Sequence, residues 1–205
     1  MTARIDIITL FPDMFQALQS GITGRDSCRQ QLTIQTWNPR QYSDQTGARV
    51  DDRPFGGGPG MLMQIDPLVH ALEAAKAATD IPTKTLLLSP CGKPLNQKAI
   101  NQMVEQPRII LIAGRYKGID QRFIDHCVDE SWSVGDFVVS GGELPAMLLI
   151  DALCRQLPGV VGNQESVLQD SFMQDLLDCP HYTRPAKHDL GDVPQVLIDG
   201  DHQAI

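Results

Sequence analysis

The sequence predicts an α/β fold, a largely parallel sheet flanked by helices, and three observations carry that prediction. Apolar runs of strand length recur along the chain, at 4–10, 85–88 and 109–112. Segments whose apolar residues fall at i, i+3, i+4 and i+7 separate them, which is the spacing of one helical face. Three strand-like stretches run directly into glycine- or proline-rich loops, at 89–92, 113–118 and 135–142. Strands and helices in alternation give parallel pairing, and loops gathered at strand C-termini give a ligand crevice.

Taken in order, residues 4–10 (Arg-Ile-Asp-Ile-Ile-Thr-Leu) read as a buried strand. Phe11-Pro12-Asp13 opens a short helix bearing Met14, Phe15 and Leu18, closed near Gly21. Residues 31–37 alternate apolar and polar side chains, and Asn38-Pro39 ends that strand. From 40 to 50 the chain is polar and reads as a mobile loop. The run Asp51-Asp52-Arg53-Pro54-Phe55-Gly56-Gly57-Gly58-Pro59-Gly60-Met61 follows. Its glycines suit a phosphate cradle or a flexible connector, but the Gly-Lys-Ser/Thr that closes a P-loop is absent.

Asp66-Pro67 supplies an N-cap and a first-turn proline for a helix carrying Leu68, Ala71, Leu72 and Ala75. Residues 85–88 read as a core strand with a turn at Ser89-Pro90-Cys91-Gly92. A helix from about 96 to 105 turns Ala99, Ile100, Met103 and Val104 inward. Residues 109–112 form the next core strand, ending at Ala113-Gly114-Arg115-Tyr116-Lys117-Gly118. Helix-like sequence surrounds 122–124, and 128–134 is extended.

The stretch that organises the chain is 132–145, Trp-Ser-Val-Gly-Asp-Phe-Val-Val-Ser-Gly-Gly-Glu-Leu-Pro. Glycine lets a ligand or another backbone approach the main chain closely. A helix follows, with Ala146, Leu149, Ile150, Leu153 and Leu157 on one face, Pro145 in its first turn and Gly159 past its end. From the glycines alone, a plain strand-to-helix turn is an equal reading. Residues 1–160 thus form the sheet-bearing domain. Residues 161–175 read as a flexible active-site loop or interdomain linker, and 176–205 as a segment dense in reactive types followed by a tail.

Composition excludes several classes. No apolar run approaches the roughly 18 residues of a membrane span. The five cysteines are odd in number and contain no Cys-x-x-Cys pair, which argues against a disulfide framework and a structural zinc site and fits a reducing cytoplasm. The first strand lacks Gly-x-Gly-x-x-Gly, so a dinucleotide site is unsupported. A net charge of −8 conflicts with a nucleic-acid partner, which calls for a basic footprint.

Four stretches carry a resemblance: 51–61, Gly114-Arg115-Tyr116, 132–145, and Leu177-Asp178-Cys179-Pro180-His181-Tyr182-Thr183-Arg184-Pro185. Together, in this order, they resemble bacterial tRNA (guanine-N1)-methyltransferases, the TrmD family of the SPOUT methyltransferase superfamily. The resemblance implies a deep trefoil knot, which periodicity does not reveal and the general rule against threaded chains would disfavour. It implies S-adenosylmethionine as cofactor, tRNA as substrate, methylation at N1 of guanosine-37 beside the anticodon, and a homodimer with the active site at the interface. It places the cofactor on Leu87, Ser89, Pro90, Gly114, Tyr116, Gly118, Val134, Gly135, Asp136, Phe137, Val138, Val139, Gly141, Gly142 and Pro145. It makes Asp170 the general base and Arg155 the catalytic arginine, with Asp51, Arg53, Asp178 and His181 as tRNA contacts.

The chemistry needs those types. Guanine N1 must lose a proton to become a nucleophile, a carboxylate can accept it, and a guanidinium can stabilise the charge that spreads to O6.

The sequence also departs from the family. Lys117 stands where an acidic residue usually follows Gly-Arg-Tyr, a position linked to the family's divalent-metal effect, so weaker or altered magnesium dependence is expected. Phe137 replaces a usual tyrosine and Cys91 a polar residue. Family members run on into a basic C-terminal domain, so a shortened form that methylates tRNA poorly is expected; the missing part would also account for the acidic charge. Two alternatives stand beside the main reading. One is a knotted RNA methyltransferase acting on another atom, and the other a non-catalytic S-adenosylmethionine- or RNA-binding relic.

Overall fold

The computed structural model describes residues 3–173 and 176–200. Strand β1 (Ala3–Ile8) is followed by a 3₁₀ helix at Pro12–Gln19 and the single turn α1 (Asp26–Arg29). Strand β2 (Leu32–Trp37) leads to a 3₁₀ turn at Pro39–Tyr42, where the Asn38 side chain accepts the Arg40 N–H. Strands β3 (Asp51–Asp52) and β4 (Leu62–Met63) pair antiparallel and enclose the glycine-rich run. Next come α2 (Ile65–Ala77), β5 (Lys84–Pro94), α3 (Gln97–Met103), β6 (Arg108–Ile112), α4 (Gln121–Cys127), β7 (Glu130–Ser133) and α5 (Glu143–Gln156). Two short helices, α6 (Gln164–Gln169) and α7 (Gln195–Ile198), follow.

Five strands form one sheet in the order β2-β1-β6-β5-β7, parallel throughout. The alternation of side chains along each strand divides the core into two layers. Leu86, Leu88, Ile109 and Leu111 pack with α3 and α5 on one face. Leu87, Ile110 and Ile112 pack with α2 and α4 on the other. Cys28 and Cys154 meet inside the first layer, sulfur to sulfur at 3.0 Å, and burial pushes the Cys154 thiol pKa up.

On the second face a charge is buried. Asp6 accepts from Arg4, from the Trp37 indole at 2.8 Å and from Arg108 Nε at 2.9 Å. Arg108 also donates to the carbonyls of Ala75 and Thr79 at the end of α2. Buried ions persist only when paired and hydrogen-bonded, and this pair satisfies both conditions.

The structure redraws several expected elements. The strand read at 85–88 does not stop there: Leu88 and Lys93 both oppose Trp132, so 89–92 bulge out and β5 resumes to Pro94. Gly92 makes that possible, since a Cβ on it would lie 2.4 Å from the Trp132 backbone nitrogen. Helix α2 starts at Ile65 with Gln64 as its cap, so Asp66 lies inside the first turn rather than capping it. Proline is tolerated there because first-turn N–H groups have no intrahelical partner. The loop expected at 161–175 contains α6, which buries Val167. Residues 174–175 of that loop and 201–205 of the expected tail lie outside the described residues. The chain divides into two compact units, Met1–Leu168 and Gln169–Ile205. No described helix is long and apolar enough to cross a membrane.

Candidate active site

In a parallel sheet the strand C-termini share one edge, and three loops meet there. They are the bulge of β5, residues 113–118 after β6, and 134–142 between β7 and α5. They enclose a cavity of about 410 Å³. Of the cofactor residues expected above, all but Asp136 line it; Asp136 is exposed on its loop. Leu62, Leu88, Ile119 and Trp132 extend the apolar wall, and Arg115 and Lys117 add two cations.

The loops approach to backbone contact. The Gly142 N–H donates to the Gly114 carbonyl at 2.8 Å. A Cβ on Gly142 would lie 2.7 Å from Ala113 Cα, so space, not backbone angle, excludes a side chain. Tyr116 sits at φ +61, a left-handed conformation uncommon for a bulky residue and typical of ligand loops.

One residue that sequence reasoning passed over holds this arrangement. Glu143, fully buried at the start of α5, accepts from Thr9 Oγ1 at 2.9 Å and from Arg115 Nε at 2.7 Å. Arg115 also donates to the Ser140 carbonyl and stacks over the Phe11 ring at 4.3 Å. The ends of β1 and β6 are thereby tied to α5. A carboxylate inside an otherwise glycine-rich, apolar motif was the available signal.

The remaining site residues lie elsewhere. Arg155 is half-buried in the last turn of α5, within the first unit, and Asp170 is half-buried in the second. Asp51 belongs to β3; Arg53 lines a separate cleft of about 450 Å³ with Asp52, Phe55, Asp120 and Arg122. In the second unit His181 Nε2 and Asp178 Oδ2 meet at 2.8 Å, both side chains exposed. The His181 contact and the Cys179 N–H hold the Asp178 carboxyl below its ordinary range. Ligand atoms of Asp178, Cys179 and His181 lie within 4.8 Å of one another. The 410 Å³ cavity has no carboxylate among its lining residues, so its donor set does not fit magnesium, which is usually held through one or two carboxylates.

A family model described as tRNA (Guanine-1)-methyltransferase TrmD matches residues 3–205. The chain belongs to the TrmD family. A relative named tRNA (guanine-N(1)-)-methyltransferase, from Coxiella burnetii (strain RSA 493 / Nine Mile phase I), is 54% identical over 205 residues, 100% of this chain and 83% of the relative. One of the same name from Pseudomonas putida (strain W619) is 54% identical over 203 residues, 98% of this chain and 81% of its own. Among solved structures, the crystal structure of tRNA (m1G37) methyltransferase from Aquifex aeolicus matches with a TM-score of 0.82 and 31% identity, covering 99% of this chain and 85% of that one. The TrmD fold, a SPOUT-type parallel sheet flanked by helices, therefore extends over nearly the whole chain.

Proposed function

We propose that this chain is a tRNA (guanine-N1)-methyltransferase that uses S-adenosylmethionine to methylate N1 of guanosine-37. The carrying observation is the cavity at the strand C-termini, lined by the residues that the TrmD resemblance assigns to the cofactor. Its size and apolar walls suit a nucleoside-sized ligand, and the glycine cradle brings main-chain groups to its surface. S-adenosylmethionine, when bound, supplies the electrophilic methyl group.

This chain's own residues do the rest. Leu87, Val134 and Pro145 exclude water from the cavity. Asp170 takes the N1 proton and Arg155 stabilises the charge developing at O6. Asp51, Arg53, Asp178 and His181 contact tRNA. No step is assigned to magnesium, which the cavity does not fit.

The proposal includes the SPOUT knot, supported by membership of the TrmD family and by the fold match to the Aquifex aeolicus structure. It also includes a homodimer. Leu144 and Leu148 are more than half exposed and lie one turn apart on α5. Arg155 follows on the same face, since 144, 148, 151 and 155 are spaced as one helical stripe. A partner covering that stripe would place Arg155 at the interface. Cytoplasmic location is supported by five free cysteines and by the tRNA substrate.

The test is methyl transfer from labelled S-adenosylmethionine to an unmodified tRNA transcript, with the modified atom mapped by mass spectrometry. Label at guanine N1 supports the proposal. Label on a ribose or on another base overturns the atom assignment. Cofactor binding without transfer, even when the chain is extended by the C-terminal segment of a longer relative, would support the relic instead.

A further inference from the structure

The cavity contains two cations in different states. Arg115 is committed to Glu143, the Ser140 carbonyl and the Phe11 ring. Lys117 lines the same cavity, is exposed, and its ammonium has no partner among the described residues. Its backbone is fixed: the Lys117 N–H donates to the Met61 carbonyl at 2.9 Å, and Tyr116 at φ +61 sets its direction. Its stem is fixed as well, packed so closely on Gly60 that a Cβ there would lie 3.3 Å from Lys117 Cβ. The result is an anchored, unneutralised cation beside a cavity without a lining carboxylate.

We propose that Lys117 is the anion contact of this cavity and holds the carboxylate of the methyl donor's amino-acid arm. The inference rests on the reading of the cavity as the S-adenosylmethionine site. That ligand carries a sulfonium, an ammonium and one carboxylate. A lysine beside either cation would be repelled, so the carboxylate is the group that makes binding next to Lys117 favourable. Lys117 then selects donors and products that keep the amino-acid arm.

Calorimetric titration of the 205-residue chain and of Lys117→Gln, with S-adenosylhomocysteine and with 5′-methylthioadenosine, tests this. The second ligand keeps the adenosine and the sulfur but lacks the carboxylate. Lys117→Gln is expected to weaken S-adenosylhomocysteine about two- to fivefold, the upper part of the range of an exposed ion pair, and to leave 5′-methylthioadenosine unchanged. Lys117→Arg is expected to restore most of the loss. Equal losses for both ligands, or no loss for either, overturn the assignment. So does unchanged S-adenosylhomocysteine affinity with a raised KM for tRNA, which would make Lys117 a phosphate contact. If the unaltered chain binds neither ligand, the cofactor reading itself fails, and this inference falls with it.

Discussion

Arg115 donates to Glu143 at 2.7 Å, and this bond joins the loop after β6 to the first turn of α5. Arg115 lines the 410 Å³ cavity, and Glu143 holds it there. Glu143 is fully buried, so removing it leaves Arg115 and the Thr9 hydroxyl without their acceptor. Breaking such a pair from one side costs about 3–5 kcal/mol. Glu143→Ala is therefore expected to lower the melting temperature and weaken S-adenosylhomocysteine binding together. Glu143→Gln, which keeps the shape and one acceptor, is expected to lose less on both. Thermal melts alongside calorimetry check this; full cofactor affinity in a folded Glu143→Ala protein would show that the loops hold without the bond.

Gly142→Ala tests the close approach of the loops. The glycine has φ −75, ordinary for any residue, so no backbone strain is introduced. The added methyl would instead meet Ala113 and Gly114 backbone atoms at 2.7–3.0 Å. Backbone cannot rotate away as a side chain can, so the cost is expected to be about 1–3 kcal/mol, the range for overpacking. Ligand binding is expected to fall by more than the fold does, because Gly142 and the neighbouring Gly114 line the cavity. Denaturant titration and ligand titration of the same variant separate the two effects.

Apolar spacing made the layers legible. Leu86 to Leu88 and Ile109 to Ile112 are apolar at successive positions because both faces of a central parallel strand are covered. The cavity loops were legible for a related reason, since glycines at strand ends mark close backbone approach. The continuation of β5 past 89–92 was not, because Pro90 and Gly92 are local turn signals and the pairing with β7 is long-range. Glu143 was hidden because its partners, Thr9 and Arg115, are 134 and 28 residues away. The role of Asp6 within an apolar strand was hidden in the same way, since Arg108 is 102 residues distant.

Asp6 gives the fold a defined acid limit. Burial pushes its pKa up, but hydrogen bonds from Arg4, Trp37 and Arg108 and the Arg108 charge outweigh it, and the net shift is downward from 3.8. Between the depressed folded value and 3.8 the unfolded chain binds the proton and the folded chain does not, so stability rises with pH in that window. The contribution is complete above it and is lost as pH falls through the folded value. Asp6→Asn is expected to destabilise the protein at neutral pH by about 3–5 kcal/mol, because Arg108 stays buried without its counter-charge. It should also flatten the acid arm of the stability–pH curve. An unchanged acid slope in the variant would assign acid unfolding to other carboxylates.

Asp170 and Arg155 carry the proposed chemistry, and their substitutions should separate rate from binding. Asp170→Asn keeps the shape but cannot take the N1 proton, so kcat is expected to fall about 10²–10⁴-fold, the usual range for a general base. Arg155→Ala is expected to lower kcat through lost charge stabilisation at O6, by about 10²-fold or more. Neither should change the affinity for 5′-methylthioadenosine, because neither residue lines the 410 Å³ cavity. Single-turnover methyl transfer with saturating tRNA gives the rates. A drop confined to KM, with kcat intact, would reassign either residue to substrate positioning.

The exposed stripe of α5 makes the last prediction. Leu144 is 55% exposed and Leu148 53%, on a helix whose other apolar residues are buried or partly buried. Exposed leucines one turn apart are costly to leave in water, and a second copy of the chain would cover them. Leu144→Asp combined with Leu148→Asp places two carboxylates on that face without touching the core, so the fold is expected to survive. Sedimentation of the unaltered chain is expected to give a dimer, and of the double variant a monomer. If Arg155 acts at that interface, methyl transfer must fall with dimer content, and raising protein concentration should recover part of both. A monomeric double variant with full methyl-transfer activity would detach Arg155 from the interface. A dimeric one would move the interface to another face of the molecule.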